Sequence, residues 1–365
     1  MKIIDRVIRI LVGLFFIFSG IVKVNDPVGT SIKLKEYFEV FAQDFMELFR
    51  IFAPFSLEIA VFVIVLEVVL GVALVMSYQM KLASWIILGL IVFFTFLTFY
   101  SAVFDKVTDC GCFGDAIPLT PWASFYKDLI LLALILYLFF RRNKFPSPQN
   151  RTGDVAMGIA LAGSLFLSIY AIRHLPYIDF RPYHVGAHIP SYMKPSEPLR
   201  YQYIMEKDGK KRKFDVYPSD TSYTFKEMIL LNPKAKPRIT DYSVWNDEGD
   251  YTQATFEGRK LLAIVENIKK ANRRGLEKIQ RLAAAVEDGI EVMILTATDE
   301  PTFQEYRHEY QISIPFYFAD ATVLETMVRS NPGLIAMKDG KILAKWHHND
   351  TPSPETVREI LNGDQ

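Results

Sequence analysis

The chain has little cysteine: its 365 residues hold two, both in the run Asp109-Cys110-Gly111-Cys112-Phe113-Gly114-Asp115. That scarcity excludes a disulfide-stapled scaffold, which needs several bridges. It also leaves everything after Cys112 without a thiol. Net charge is lacking too: 41 basic residues balance 41 acidic ones, so there is no global basic footprint for nucleic acid. Histidine is sparse, and His174, His184, His188, His347 and His348 show no ligand spacing with a carboxylate partner. With no Cys or His near the cysteine pair to complete a coordination sphere, no metal site is expected.

Charge is also missing from long stretches of the first half. Roughly Ile8–Val24, Phe55–Ser77, Leu82–Phe104, Trp122–Phe140 and Val155–Ile172 approach the length needed to cross about 30 Å of hydrocarbon. The first resembles a signal peptide in having Lys2, Arg6 and Arg9 before its apolar core, but no Ala-x-Ala-like site follows, and it is read as a retained span. Lys2, Arg6, Arg9, Lys81, Arg141, Arg142, Lys144 and Arg151 then fall on one side of the membrane, the cytoplasmic one by the positive-inside rule. Lys33, Lys35 and Arg50 on the other side weaken the contrast without reversing it. The reading is a bacterial inner-membrane protein with a cytoplasmic N-terminus, the cysteine loop at the periplasmic face and a periplasmic C-terminal half. Between the first two spans, residues 30–50 place apolar side chains at helical spacing among charged ones. That pattern fits an amphipathic helix, either in the interface or packed on the bundle.

The composition divides the chain into a bundle (1–142), a fifth span with a Pro- and aromatic-rich linker (143–199) and a soluble domain (200–365). In the last, Lys207-Asp208-Gly209-Lys210 marks a hairpin, and Ser219–Leu231 reads as helical. Short apolar runs at Lys260–Val265, Glu291–Thr296 and Phe316–Phe318 read as strands. They alternate with helices over Lys269–Glu287, Thr302–Tyr310 and Val323–Arg329. A hairpin through Asp339-Gly340 and a helix over Pro354–Leu361 close the chain. This order predicts an α/β sandwich with a mixed sheet.

Two cysteines one residue apart can form a disulfide, share a metal or relay electrons as a dithiol. A bridge across one residue is strained and closes too little chain to stabilise much, which suits redox exchange better than stapling. Asp109 and Asp115 are expected to raise the thiol pKa values. Glu58, Glu67, Lys23, Lys127 and Asp128 lie in or at the ends of spans, where ionisable groups are costly. They serve either as packing pairs or as a proton path or quinone-head contact, and Lys23 is placed to pair with Glu58. Tyr100, Trp122, Phe125 and Tyr126, which flank the cysteine loop, read as an aromatic belt.

Ser19-Gly20, Lys23, Asp26-Pro27, Glu67 with Gly71, the Cys110-Gly111-Cys112-Phe113-Gly114 run and Asp128 together resemble the DoxX/MauE group of redox-associated membrane proteins. The resemblance covers about residues 1–142. It implies a four-helix core and a dithiol function for Cys110 and Cys112; Glu67, Lys23 and Asp128 from the matching positions, and Glu58 and Asp109 from their placement as ionisable groups, are the supporting candidates. The C-terminal order is similar to thioredoxin-like domains, with Asn331-Pro332 at their cis-proline position. Glu266-Asn267-Ile268-Lys269-Lys270-Ala271 stands where the Cys-x-x-Cys would be. Two functions follow as expectations. One is thiol–disulfide or quinone-linked electron transfer at the periplasmic face. The other is a non-enzymatic anchor whose thiol-free domain binds envelope proteins. No cofactor motif is evident, and quinone is the one cofactor the resemblance suggests. Membrane lipid and an envelope protein are the expected partners.

Overall fold

The computed structural model describes residues 3–107, 111–145, 151–286 and 289–363. Backbone contacts divide the chain into two units, Met1–Phe180 and Arg181–Gln365. The boundary falls inside the 143–199 stretch that the composition set apart. The last span therefore belongs to the first unit, and the second unit begins well before Arg200.

The first unit is helical because its apolar runs can satisfy their backbone groups internally only as helices. Helix α1 (Ile3–Asn25) ends where Asp26 and Pro27 start α2 (Pro27–Asp44), the Asp26 side chain accepting from the Gly29 amide at 2.8 Å. A 3-10 stretch (Glu47–Phe55) leads into α3 (Ser56–Met76), and α4 (Met80–Phe104) follows a tight turn. Helix α5 (Pro121–Arg141) starts at a Thr120 cap, and α6 (Arg151–Arg173) follows. Among the described residues five helices are long and apolar enough to cross a bilayer: α1, α3 with its preceding turn, α4, α5 and α6. This is a membrane protein. Its outward-facing Phe62, Ile130 and Phe166 are largely exposed, as a surface against acyl chains requires. The amphipathic helix starts and ends earlier than the sequence pattern suggested, because the Asp26-Pro27 cap fixes its first turn. Its Tyr37 and Phe41 bury against Leu97, Tyr100 and Val107, so that face packs on the bundle.

Helices α1 and α3 approach closely through glycine. A Cβ on Gly71 would lie 2.7 Å from the Gly13 carbonyl oxygen and 2.8 Å from the Ile17 amide nitrogen. One on Gly20 would lie 2.5 Å from a Val68 methyl. Small residues permit this approach where two helices meet in lipid. At one end of the pair, Arg9 donates to the carbonyls of Leu74 and Val75, occupying the last turn of α3. Nearby, Asp5 accepts from Arg141 at 2.8 Å and Tyr137 at 2.7 Å.

The second unit opens with an extended strap and the short α7 (Ile189–Tyr192). Strands β1 (Tyr201–Lys207), β2 (Lys210–Phe214) and β3 (Thr224–Leu230) form an antiparallel sheet in the order β2-β1-β3. Then come β4 (Val244–Asn246), β5 (Gly249–Asp250), β6 (Arg259–Val265), α8 (Arg273–Ala285), β7 (Ile290–Thr296), α9 (Glu300–Glu309), β8 (Phe316–Ala319), α10 (Ala321–Met327), β9 (Gly333–Lys338), β10 (Lys341–His347) and α11 (Pro354–Asn362). The larger sheet runs β10-β9-β6-β7-β8-β4-β5. Strands β6, β7 and β8 are parallel, and β9 and β10 are antiparallel, so the sheet is mixed. Central β6 is almost wholly buried between α8 and α11 side chains such as Leu276, Ile279 and Val357 and the rest of the core. The strap covers the free edge of β10: Gly186 donates to Ile342 O at 2.7 Å, and Ile189 donates to Gly340 O at 2.9 Å.

The sequence expectation fails at Ser219–Leu231, which is not helical. Phe225, Met228 and Ile229 sit at helical spacing, but β1 offers an open edge, and the segment pairs with it as β3. Strands β4 and β5 were not foreseen, being too short to carry a period. Glu287, the end of the expected 269–287 helix, lies outside the described residues, and α8 is shorter at its start.

Gly71→Ala is expected to lower stability by about 1–3 kcal/mol, the usual cost of overpacking. Gly89→Ala, with nothing within 4 Å of its Cβ, should leave stability unchanged or raise it. Thermal melts of the two variants in detergent check this; equal melting temperatures would refute the tight contact.

Candidate functional site: a lysine-lined cavity at the Cys112 loop

Helices α1 to α5 and the loop after α4 line a cavity of about 100 Å³, open to one side. Its walls are mainly apolar and aromatic, with Phe15, Phe94, Leu97 and Leu131 among them. Set into them are Lys23 from α1, Lys33 from α2, Glu67 from α3, Thr98 from α4, Lys127 and Asp128 from α5, and Gly111 and Cys112 from the loop.

The close α1–α3 packing determines what meets what. Lys23, 6% exposed, donates to Glu67, 1% exposed, at 2.5 Å. Ser19, one turn before Lys23, lies 3.1 Å from Glu67 Oε2 and 3.1 Å from the Cys112 carbonyl oxygen. A hydroxyl has one hydrogen to donate, so two acceptors share it. The backbone at Cys112 is thereby tied to the buried ion pair. On the opposite wall, Asp128, 1% exposed, pairs with Lys127 and accepts from Thr98 at 3.0 Å. The Lys127 ammonium also lies 5.5 Å from the Phe113 ring centre, beside the loop.

Residues 1–141 match the family described as methylamine utilisation protein MauE. A curated relative, "Protein TlpB" of Flavobacterium psychrophilum, is 32% identical over 165 residues, 44% of this chain. The chain spans 43% of that protein's length. No solved structure matches.

Within this MauE-like unit, six residues singled out from the sequence come together: Ser19, Lys23, Glu67, Lys127, Asp128 and Cys112. Cys110 and Asp109 lie outside the described residues. Glu58 does not join the cavity. It is exposed on the first turn of α3, and nine residues from Glu67 is about two and a half turns, which puts it on the other side of the helix. The expected Lys23–Glu58 pair is therefore corrected to Lys23–Glu67. Lys127, read from the sequence as either a packing charge or a proton-path or quinone-head contact, lies beside Phe113 of the loop. Lys33 and Thr98 were not nominated at all. The available signal for Lys33 was its place on the inward face of an amphipathic helix, one turn before Tyr37.

In the second unit, the stretch 266–271 forms a 3-10 turn over Ile268–Lys270. Asn331 donates to the Asn267 carbonyl at 2.8 Å, and the Asn272 amide donates to Asn331 O at 3.0 Å. The Asn331–Pro332 bond is cis. Ser330 Oγ lies 2.9 Å from His348 Nδ1 and accepts from the His348 amide at 3.1 Å. Burial first, and then Lys278, holds the His348 pKa below the usual imidazole value, against the Pro332 carbonyl and Asp350, which act the other way.

Two expectations follow. Breaking the Lys23–Glu67 pair from either side strands a buried charge, so Lys23→Met and Glu67→Leu should each cost about 3–5 kcal/mol. The double variant should recover much of that loss, and a double-mutant cycle in detergent checks the coupling. His348 has a folded pKa below its unfolded one, so its contribution to stability is present above about pH 6.5 and is lost as the pH falls through the folded pKa. Melting temperature should therefore drop on acidification from pH 8 to 5, and His348→Asn should flatten that slope.

Proposed function

We propose that this protein is a membrane dithiol oxidoreductase in which Cys110 and Cys112 exchange electrons with a thiol partner and with quinone. The observation that carries this reading is the tie between the cysteine loop and the buried charges. Cys112 opens onto an apolar cavity, and its carbonyl is anchored through Ser19 to Glu67 and Lys23. Cations around a thiol favour the thiolate, which is the form that attacks a disulfide. They offset the acidic residues of the loop.

The chemistry balances as follows. Oxidation of the two thiols to a disulfide releases two electrons and two protons. A partner's disulfide accepts them to become two thiols, or a quinone accepts them to become a quinol. The cavity fits a quinone head: aromatic walls for the ring, and lysine ammoniums as donors to its carbonyl oxygens. Glu67 and Asp128, both lining the cavity, are groups through which protons can pass.

The distribution of basic residues favours an inner-membrane location with the loop and the second unit on the periplasmic side. The βαβαβ order, the closing hairpin and the last helix support a thioredoxin-like reading of that unit. With no cysteine, its role on this reading is to hold an envelope protein for the loop to act on. A scaffold without thiol chemistry is the alternative. The two readings separate in one assay. Reduced protein in nanodiscs is mixed with a short-chain quinone, and quinol formation is followed by absorbance. Wild type should form one quinol per dithiol, and Cys110→Ser and Cys112→Ser should each form none above the protein-free background. A Cys110→Ser/Cys112→Ser variant as active as wild type would sink the oxidoreductase reading.

A further inference from the structure

Next to Cys112, the loop backbone at Gly111 rests on Lys33 of α2. Gly111 has φ +63°, a left-handed conformation, and a Cβ built on it would lie 3.3 Å from Lys33 Cγ and 3.5 Å from Lys33 Cβ. Glycine thus lets the backbone between the two cysteines settle on the aliphatic stem of Lys33. Lys33 is among the residues that line the cavity, and a lysine can cover its methylenes in this way while its ammonium stays in a polar setting.

The charged groups that line the cavity together with Cys112 come from several elements. Helix α1 supplies Lys23, α2 Lys33, α3 Glu67, and α5 Lys127 and Asp128. Helix α4 contributes the uncharged Thr98, and Asp109 and Asp115 flank the cysteines in sequence. Lys23 is matched by Glu67 at 2.5 Å, and Lys127 by Asp128 at the same distance. Lys33 has only Glu36 at 3.7 Å, with both side chains about a third exposed. So loose and wet a pair neutralises little. Of the three lysines that line the cavity, Lys33 has the most weakly compensated charge.

We infer that Lys33 is a positioning residue for the cysteine pair: its stem seats Gly111, and its ammonium biases Cys112 toward the thiolate. Cys112 is then the attacking sulfur of the pair. This deepens the oxidoreductase reading, yet its test does not depend on it, because alkylation needs neither quinone nor protein partner. In a Cys110→Ser background, full-length protein in nanodiscs is kept reduced, and the rate of Cys112 alkylation by iodoacetamide, a neutral reagent, is measured against pH. Lys33→Met keeps the stem and removes the charge, and it should move the midpoint up by about one unit. Lys33→Arg should restore the original midpoint. Lys35→Met, which alters a lysine outside the cavity, should leave it in place. An unmoved midpoint in Lys33→Met overturns the inference, as does an equal shift in Lys35→Met. A shifted midpoint combined with inert quinone chemistry would retain Lys33 and dismiss the oxidoreductase.

Discussion

A charge inside a bilayer must have a partner, and in this protein that requirement shapes the site. Glu67 sits midway along an apolar helix with almost no exposure, where an isolated carboxylate costs several kcal/mol. Lys23 can reach it only because α1 and α3 touch backbone to backbone at Gly13, Gly20 and Gly71. The glycines contribute no chemistry of their own. They set the separation at which an ammonium and a carboxylate from two helices meet at 2.5 Å. Any side chain at Gly71 would push the helices apart and leave two buried charges to be solvated by nothing.

The rest of the site is arranged around that pair. Ser19 lies on the same face as Lys23, one turn earlier, and offers its single proton to both Glu67 and the Cys112 carbonyl. A change in the charge of Glu67 therefore changes how firmly the loop is held, and a shift of the loop changes how well Glu67 is solvated. Asp26 and Pro27 turn the chain sharply after α1, so α2 returns along the cavity and brings Lys33 under Gly111. Cys112 stands where these elements converge.

Much of this was legible in the sequence, for reasons that differ between residues. The spans were readable because length and apolarity are direct consequences of bilayer thickness. Glu67, Lys23 and Asp128 were readable because ionisable groups seldom sit in spans without cause. The partner of Lys23 was not. Choosing between Glu58 and Glu67 needs the rotation of α3 about its axis, which an all-round apolar helix does not encode. Lys33 was hidden because a lysine on an amphipathic helix looks solvated, and its role depends on a loop some 80 residues away in the chain. In the second unit the β6–β10 order was plain from short apolar runs, whereas β3 was misread because Phe225, Met228 and Ile229 fit a helical period as well as a strand. Only its pairing with β1 decides between them.

The second unit adds a constraint at residues 266–271 and Asn331, the stretch that the thioredoxin-like resemblance aligns with a thiol pair. Asn267 and Asn331 hold each other through backbone and side chain there, and His348 is seated on Ser330 behind them. These contacts tie the segment down with uncharged hydrogen bonds, which stabilise a surface but move no electrons. Whatever this unit recognises, it must hand any thiol step elsewhere. Within the chain that leaves the 110–112 loop, so electron transfer and recognition, if both occur, are divided between a bilayer unit that holds the sulfur and a separate unit that has none.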